Sequence, residues 1–558
     1  MSITEDSLLK LLPSLPSAII SDLLSLGVCV RCVFRFLNMR SVDFAAAIPS
    51  CYLLISHLQA SMLDSGAQMN GSAEIVPKVG TDSEPQCAVE NSAHTIDGGI
   101  VEPCIVCLGI LQILDDNMHK ESVSGTELQR YCYGAKEKIV EAAHKEGHEF
   151  DSFCLEVSLP AICVVRERAL WYYLKQKYPE EALFSHNHET DHIVTLKEAV
   201  KWSLIAPLEL LLGAKFDSNS LFRIALLYKH PESLAELDFL GGHVGGDAKR
   251  RRHGSVDSGP PAGLAAVAAG RTAEAGESLT SVMRALATMS YDSFSRTFTC
   301  PPSKPITPCE LATMCWRMPV FVGGRYLKYS RNISQSRWMI DDERMGEGSV
   351  QEVIGDVVLP PYKGDSYKFH AAGREDIDVR MLGPGRPFIV EISNARVIPS
   401  SAEIGNLERD INSLKEGWVK VRELRQVGID ACAIMREGES EKQKEYAAVV
   451  WLSRPVTEAD FECLSSFKEL ELQQKTPVRV LHRRSPLTRP RTIHWMRCKE
   501  IKGTQNYFVL FLCTQAGTYI KEFVHGDLGR TFPNVGSILG CEADILQLDV
   551  MDVKMDFH

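Results

Sequence analysis

Residues 241–278 read GGHVGGDAKRRRHGSVDSGPPAGLAAVAAGRTAEAGES, a stretch of Gly, Ala, Ser and Pro with almost no large apolar side chain. Such a stretch cannot bury enough surface to offset the entropy of ordering it, so it is expected to be a disordered linker. A chain of 558 residues interrupted in this way cannot fold around one hydrophobic core. The expectation is an N-terminal domain over 1–240, a linker over 241–285 and a C-terminal domain over 286–558. Inside the linker, Lys249-Arg250-Arg251-Arg252 reads equally as a nuclear-import signal or as solvated charge.

The C-terminal part mixes two periodicities. Arg386–Ile392, Ala431–Met435, Tyr446–Leu452 and Val478–Leu481 read as strands, and Tyr507–Cys513 as a buried one. Ser401–Lys415 and Thr457–Phe467 carry apolar residues at helical spacing, with Ser401 as the expected cap of the first. There is no regular βαβ beat and no Gly-rich phosphate loop, so the fold class is α+β. The N-terminal part is more helical, with Leu196–Leu212 interrupted only at Pro207.

No run approaches the roughly 20 apolar residues that cross a bilayer, so no membrane partner is expected. Glu5 and Asp6 precede the first leucines, where a secretory signal would be basic and a transit peptide poor in acids. An intracellular protein, nuclear or cytoplasmic, is the expectation, and its 17 cysteines are then thiols or metal ligands. Two Cys-x-x-Cys pairs, Cys29/Cys32 and Cys104/Cys107, could complete the four-sulfur shell that zinc favours. A structural zinc in the N-terminal domain is therefore expected. The polar run His186–His192 lacks the His-Glu-x-x-His order of a zinc hydrolase and reads as a surface loop.

Two segments concentrate chemistry. Ala372–Arg380 places Arg374, Asp376, Asp378 and Arg380 just ahead of a strand. Gln515–Phe523 ends a strand in Gly517 and projects Lys521 from the first turn of a helix, where an ammonium could partner Asp376. Asp378 is the rival carboxylate, and in an extended segment it would face the other way. The net charge of −11 disfavours a polyanionic partner only if the cations are evenly spread. They are not. Lys475 to Lys499 holds eight Lys/Arg and no acid. Phe321 to Trp338 holds Arg325, Lys328, Arg331 and Arg337 among tyrosines, again without an acid. Both stretches are expected to track phosphates, with Arg325, Lys328, Arg331, Arg483 and Arg484 as substrate-binding residues.

The segment GREDIDVRMLG resembles the catalytic-aspartate motif of pseudouridine synthases, and GTYIKEF resembles the motif whose basic residue pairs with that aspartate. Lys444-Glu445-Tyr446 is similar to the Lys-x-Tyr segment that places an aromatic ring against the target base. With GGRYLKYSRNISQSRW, TPVRVLHRR and EFVHGDLGRTFPNVGSIL, the chain resembles the archaeal and eukaryotic tRNA pseudouridine synthase 10 family over about Cys309–Val553. That resemblance implies a catalytic domain built on a central antiparallel sheet and a zinc-binding, THUMP-containing N-terminal domain. It implies tRNA as partner, uridines 54 and 55 of the T arm as targets, and Asp376, Tyr446 and Lys521 as catalytic residues. Arg374 would help extrude the nucleotide. No organic cofactor is expected, and a monomer is. The competing expectation is a non-catalytic RNA-binding adaptor on the same scaffold, which would need the basic stretches but not Asp376, Tyr446 and Lys521 together. A methylating or thiolating role would require a nucleotide or S-adenosylmethionine loop that the sequence does not contain.

Overall fold

The computed structural model describes residues 16–38, 102–112, 135–181, 193–240, 279–340, 342–414, 417–482 and 484–557. Residues 241–278 with their basic cluster, the 186–192 segment and Arg483 lie outside the described residues. The chain divides into two compact units, Met1–Trp316 and Arg317–His558. No helix among the described residues is long and apolar enough to cross a membrane.

The first unit is built on Val30–Phe36 (α1), Ser152–Ser158 (β1), Ile162–Lys177 (α2), Leu196–Leu212 (α3), Lys215–Phe216 (β2) and Phe222–Lys229 (β3). Leu279–Thr288 (α4), Tyr291–Thr297 (α5) and Glu310–Arg317 (β4) follow. Its sheet runs β2-β1-β3-β4, with β1 parallel to both β2 and β3. In β3 the alternation predicted for a half-buried strand is visible, with Phe222, Ile224, Leu226 and Tyr228 on the core face. Helix α3 opens on a capping box between Thr195 and Glu198, runs through Pro207, and stops at Gly213, whose φ is 63°. Leu204 and Leu208 stay buried on either side of the proline, so packing carries the helix past the lost hydrogen bond.

The boundary between units differs from the expected one at 286. Val282, Ala285, Leu286 and Phe294 are buried in the first unit's core. Residues 279–285 are the start of α4, not linker. Arg168 on α2 donates to the Leu286 carbonyl at 2.6 Å, and the Tyr172 ring meets Tyr291 and Phe294 at 4.9 and 5.3 Å. Buried apolar contact, not composition, sets where the first unit ends.

The second unit contains Val320–Lys328 (β5), Ser366–Ala371 (β6), Arg380–Ser393 (β7), Ser401–Asn412 (α6), Val419–Val427 (β8), Asp430–Ser440 (α7) and Lys444–Leu452 (β9). Glu458–Ser466 (α8), Lys468–Lys475 (β10), Thr488–Glu500 (β11), Tyr507–Thr514 (β12), Ile520–His525 (α9), Thr531–Phe532 (β13) and Ala543–Val553 (β14) follow. Ten strands form one sheet, β8-β5-β7-β14-β9-β12-β11-β10-β13, with β6 added against β7. The pairings are antiparallel except where β7 and β14 meet in parallel at Arg380–Asp549 and Met381–Val550. The expected α+β class and antiparallel sheet therefore hold. Residues 386–392 are buried on both faces, as befits a central strand, and the burial includes Arg386 and Glu391, whose charges are met by Glu375 and by His370 and Lys368. Between Met381 and Arg386 the register of β7 slips. Gly383 sits in that slip at φ 61°, where a Cβ would lie 1.9 Å from the Met551 carbonyl oxygen, so only glycine fits.

Two predicted strands are not strands. Ala431–Met435 lies in helix α7, which buries Ala431, Met435 and Gly438 at helical spacing. A five-residue apolar run fits either period, and the longer pattern decides. Val478–Leu481 is a 3-10 turn over Val478–Val480, entered through Pro477. The cap of α6 is Ser400, one residue before the expected Ser401, and it forms a capping box with Glu403.

Candidate metal centre and candidate active site

In the first unit, Cys29 caps α1 and Cys32 lies in its first turn, while Cys104 and Cys107 lie in the tight turn over 104–112. All four sulfurs fall within 4.8 Å of one another. The Cys29 and Cys107 sulfurs are 3.8 Å apart, and tetrahedral zinc with bonds of about 2.3 Å would set its sulfurs about 3.8 Å apart. The turn is locked by the Leu108 amide donating to the Cys104 carbonyl at 2.9 Å and the Ile105 amide to the Gly27 carbonyl at 3.3 Å. The Cys29 amide donates to the Cys104 sulfur at 3.3 Å and the Arg35 guanidinium to the Cys32 sulfur at 3.5 Å, the donors that thiolates need. Burial pushes the Cys32 thiol well above its ordinary value, whereas at Cys104 burial is overridden by hydrogen bonds from the neighbouring cysteines, which hold that thiol well below its own. The four residues fit a metal ion.

In the second unit, the loop 372–379 between β6 and β7 carries Arg374, Asp376 and Asp378. Glu375, between the first two, points inward and is buried. It pairs with Arg386 at 2.9 Å and accepts from the Tyr326 hydroxyl at 2.9 Å. The Arg386 guanidinium also donates to the Ala372 carbonyl at 2.7 Å. Gln335 donates to the Tyr326 hydroxyl at 2.8 Å and the Gly373 carbonyl at 2.7 Å. Lys328 donates to the carbonyls of Ile333 and Ile377 at 2.7 Å and of Asp376 at 3.2 Å. The loop is thus pinned from beneath by a buried network that leaves its upper side to Arg374 and the two aspartates.

Asp376 is half-buried and faces two cations, Arg479 at 3.0 Å and Lys521 at 3.6 Å. Lys521 projects from the first turn of α9, as predicted, but its shorter contacts go to Asp378 at 2.7 and 2.9 Å. Burial works to raise the Asp378 carboxyl, and the Lys521 ammonium overrides it and holds it below its ordinary value. The expected opposite facing of Asp378 is therefore wrong. The Val379 amide returns to the Asp376 carbonyl at 3.1 Å, so the segment turns and the strand alternation does not apply. Arg479 stands in the 3-10 turn after β10 and is oriented by buried Glu522, whose carboxylate accepts its Nε at 2.7 Å.

Tyr446 lies part-buried on β9, and burial raises its phenol to about 12 against the opposing pull of the Arg386 guanidinium. Arg374 is exposed on the loop, and Arg484 is exposed and donates to the Tyr519 hydroxyl at 2.9 Å. Three expected phosphate contacts are otherwise employed. Lys328 is fully buried, and burial lowers its ammonium to about 8. Arg325 donates to the carbonyls of Gly385 at 3.2 Å and Met555 at 2.5 Å. Arg331 pairs with Asp549 at 2.6 Å and donates to the Asp378 carbonyl at 2.7 Å. The absence of acids nearby in sequence misled, because these cations are taken up by backbone carbonyls and by Asp549, which such a count does not register. Arg479 and Glu522 were missed as site residues. Arg479 was hidden in a basic run, and Glu522 directly follows Lys521.

A family model described as "Pus10, C-terminal" matches residues 321–554, and one described as "Eukaryotic Pus10, N-terminal" matches 104–315. The two meet where the compact units divide. A Homo sapiens protein named tRNA pseudouridine synthase Pus10 is 36% identical over 555 residues, 96% of each chain. The Xenopus laevis protein of that name is 37% identical over 542 residues, again 96% of each. The Thermofilum pendens protein is 37% identical over 238 residues, 42% of this chain and 53% of its own. The class these relatives define is that of the pseudouridine synthases, which are isomerases. Within it, the chain belongs to the Pus10 family.

Proposed function

We propose that this chain isomerises uridine to pseudouridine in the T arm of tRNA, at uridines 55 and 54, with Asp376 as its catalytic carboxylate. The observation that carries this reading is the pairing of Asp376 with Arg479 at 3.0 Å and Lys521 at 3.6 Å on a loop fixed from below. A group held this firmly costs little to orient when substrate arrives. Target uridines lie inside a folded arm, so the base must leave its stack before reaction. Arg374, exposed two residues before Asp376, is placed to take up the vacated position, and Tyr446 supplies an aromatic face for the extracted ring.

Asp376 acts on the bound nucleotide as nucleophile or base. The bond between N1 and the ribose C1′ breaks, the uracil turns, and C5 bonds to C1′. C5 loses its proton and N1 gains one, so nothing is oxidised and no organic cofactor is required. Cys29, Cys32, Cys104 and Cys107 would hold a zinc ion whose role is structural. The first unit, with its sheet and flanking helices, is read as a THUMP-type RNA-binding module. Single-turnover pseudouridine formation on an unmodified tRNA transcript tests the assignment. Asp376→Asn should abolish turnover while leaving most tRNA affinity, and near-normal turnover in that variant would sink it.

A further inference from the structure

The turn that follows α9 is unusual in its backbone. Gly526, Asp527, Leu528 and Gly529 take φ values of 78, 47, 55 and 79°, four left-handed residues in succession. Left-handed backbone costs a residue with a side chain about 1–2 kcal/mol, and glycine or asparagine is its ordinary occupant. Leu528 nevertheless stands there, and its side chain is 93% exposed. It therefore recovers nothing by burial in the free protein.

The turn is held firmly. The Gly526 amide donates to the Glu522 carbonyl at 2.9 Å, Arg530 to Asp527 at 3.0 Å and Thr531 to Gly526 at 3.1 Å. The Asp527 carboxylate accepts the Val478 amide at 3.2 Å, and Arg530 donates to the Thr476 carbonyl at 2.7 Å. The apex is thereby clamped to residues 476–478, immediately before the Arg479 that contacts Asp376. Val478, Leu487 and Phe532 are also exposed in these two segments, at 49, 54 and 66%. The exposed cations Lys475 and Arg484 lie in the same stretch, and 475–487 contains no acid, while Arg479 is engaged by Asp376 and Glu522. A rigid apolar point on a turn clamped to a stretch with exposed cations suits a nucleic-acid strand, whose phosphates meet the cations while a base face meets the side chain.

We propose that Leu528 is an apolar wedge that packs on a nucleobase of the RNA bound at the Asp376 cleft and keeps that strand open during reaction. This rests on the RNA-modifying reading of the site. Leu528→Gly tests it, because glycine removes the wedge and also relieves the left-handed strain. Its melting temperature should equal or exceed that of the unaltered protein, so a functional loss cannot come from unfolding. Single-turnover pseudouridine formation on an unmodified tRNA transcript should slow by about tenfold or more, the scale of one leucine's burial. The dependence of tRNA affinity on salt should not change in slope, since no phosphate contact is lost. Leu528→Met should retain activity within about threefold. Turnover of Leu528→Gly within about twofold of the unaltered protein overturns the proposal. If the unaltered protein converts no tRNA uridine, the functional reading fails and affinity decides this one. Weaker binding of the transcript by Leu528→Gly at unchanged salt slope then supports the wedge, and equal binding overturns it.

Discussion

At the scale of single residues, the candidate site is a competition for cations. Lys521 divides its ammonium between Asp376 at 3.6 Å and Asp378 at 2.7 Å, whereas Arg479 reaches only Asp376 among the two, at 3.0 Å. Arg479 is further held by Glu522 at 2.7 Å, so its guanidinium arrives pre-oriented and loses little entropy in the pair. Arg479→Ala should therefore reduce the single-turnover rate more than Lys521→Ala. We expect at least a hundredfold loss for the first, about 3 kcal/mol of transition-state stabilisation. Glu522→Gln should produce a smaller loss in the same direction by letting the guanidinium swing. Equal rates for Arg479→Ala and the unaltered protein would return the pairing role to Lys521 alone. The Asp376–Arg479 pairing could not be read from sequence, because the two residues lie 103 positions apart with no pattern linking them.

At the scale of elements, what was legible was whatever recurs with a period or a fixed spacing. The strands at 386–392 and 507–513 and the helix over 196–212 declared themselves by side-chain pattern, although 507–513, expected to be buried, alternates buried and half-buried residues over most of its length. The paired cysteines declared a four-sulfur site by spacing, and the sulfurs do converge within 4.8 Å. What was hidden depends on contacts made at long range. Lys328 and Arg331 look like free cations in a stretch without acids, yet one is consumed by three carbonyls and the other by Asp549. The 431–435 run is too short to choose between strand and helix, and the turn at 376–379 reverses the side on which Asp378 emerges. The cysteine site yields a direct prediction for its elements. Cys104→Ser should release bound zinc and destabilise the first unit, because the four-sulfur site ties the 104–112 turn to α1 alongside the Arg31–Leu111 hydrogen bond, and structural zinc binding is coupled to folding. Metal analysis of reduced, purified protein, paired with thermal unfolding, checks both parts. Protein that contains no zinc before substitution, or that melts unchanged after it, contradicts the assignment.

At the scale of the whole molecule, an acidic chain of net charge −11 must still attract a polyanion, and it can do so only through local potential. The basic run 475–499 is not one surface, however. Its first part lies beside the Asp376 loop, where Arg491 donates to the Gly517 carbonyl at 3.2 Å and Arg484 to the Tyr519 hydroxyl at 2.9 Å. Its last part rides β11 away from the site. Lys499 stands eight residues beyond Arg491, roughly 26 Å along an extended strand. That is more than twice the screening length of about 8–10 Å at physiological salt, so the far cations add little potential at the cleft. Two substitutions of equal charge should therefore behave differently. Arg484→Ala should weaken tRNA binding and make log affinity less steep in log salt by about 0.7–0.9, the contribution of one phosphate contact. Lys499→Ala should leave both affinity and slope unchanged if RNA is gripped at the cleft alone. Titrating each variant with an unmodified tRNA transcript at several salt concentrations gives the answer. Equal losses in the two variants would mean that the RNA runs the length of β11, and the binding surface would then have to be extended along that strand.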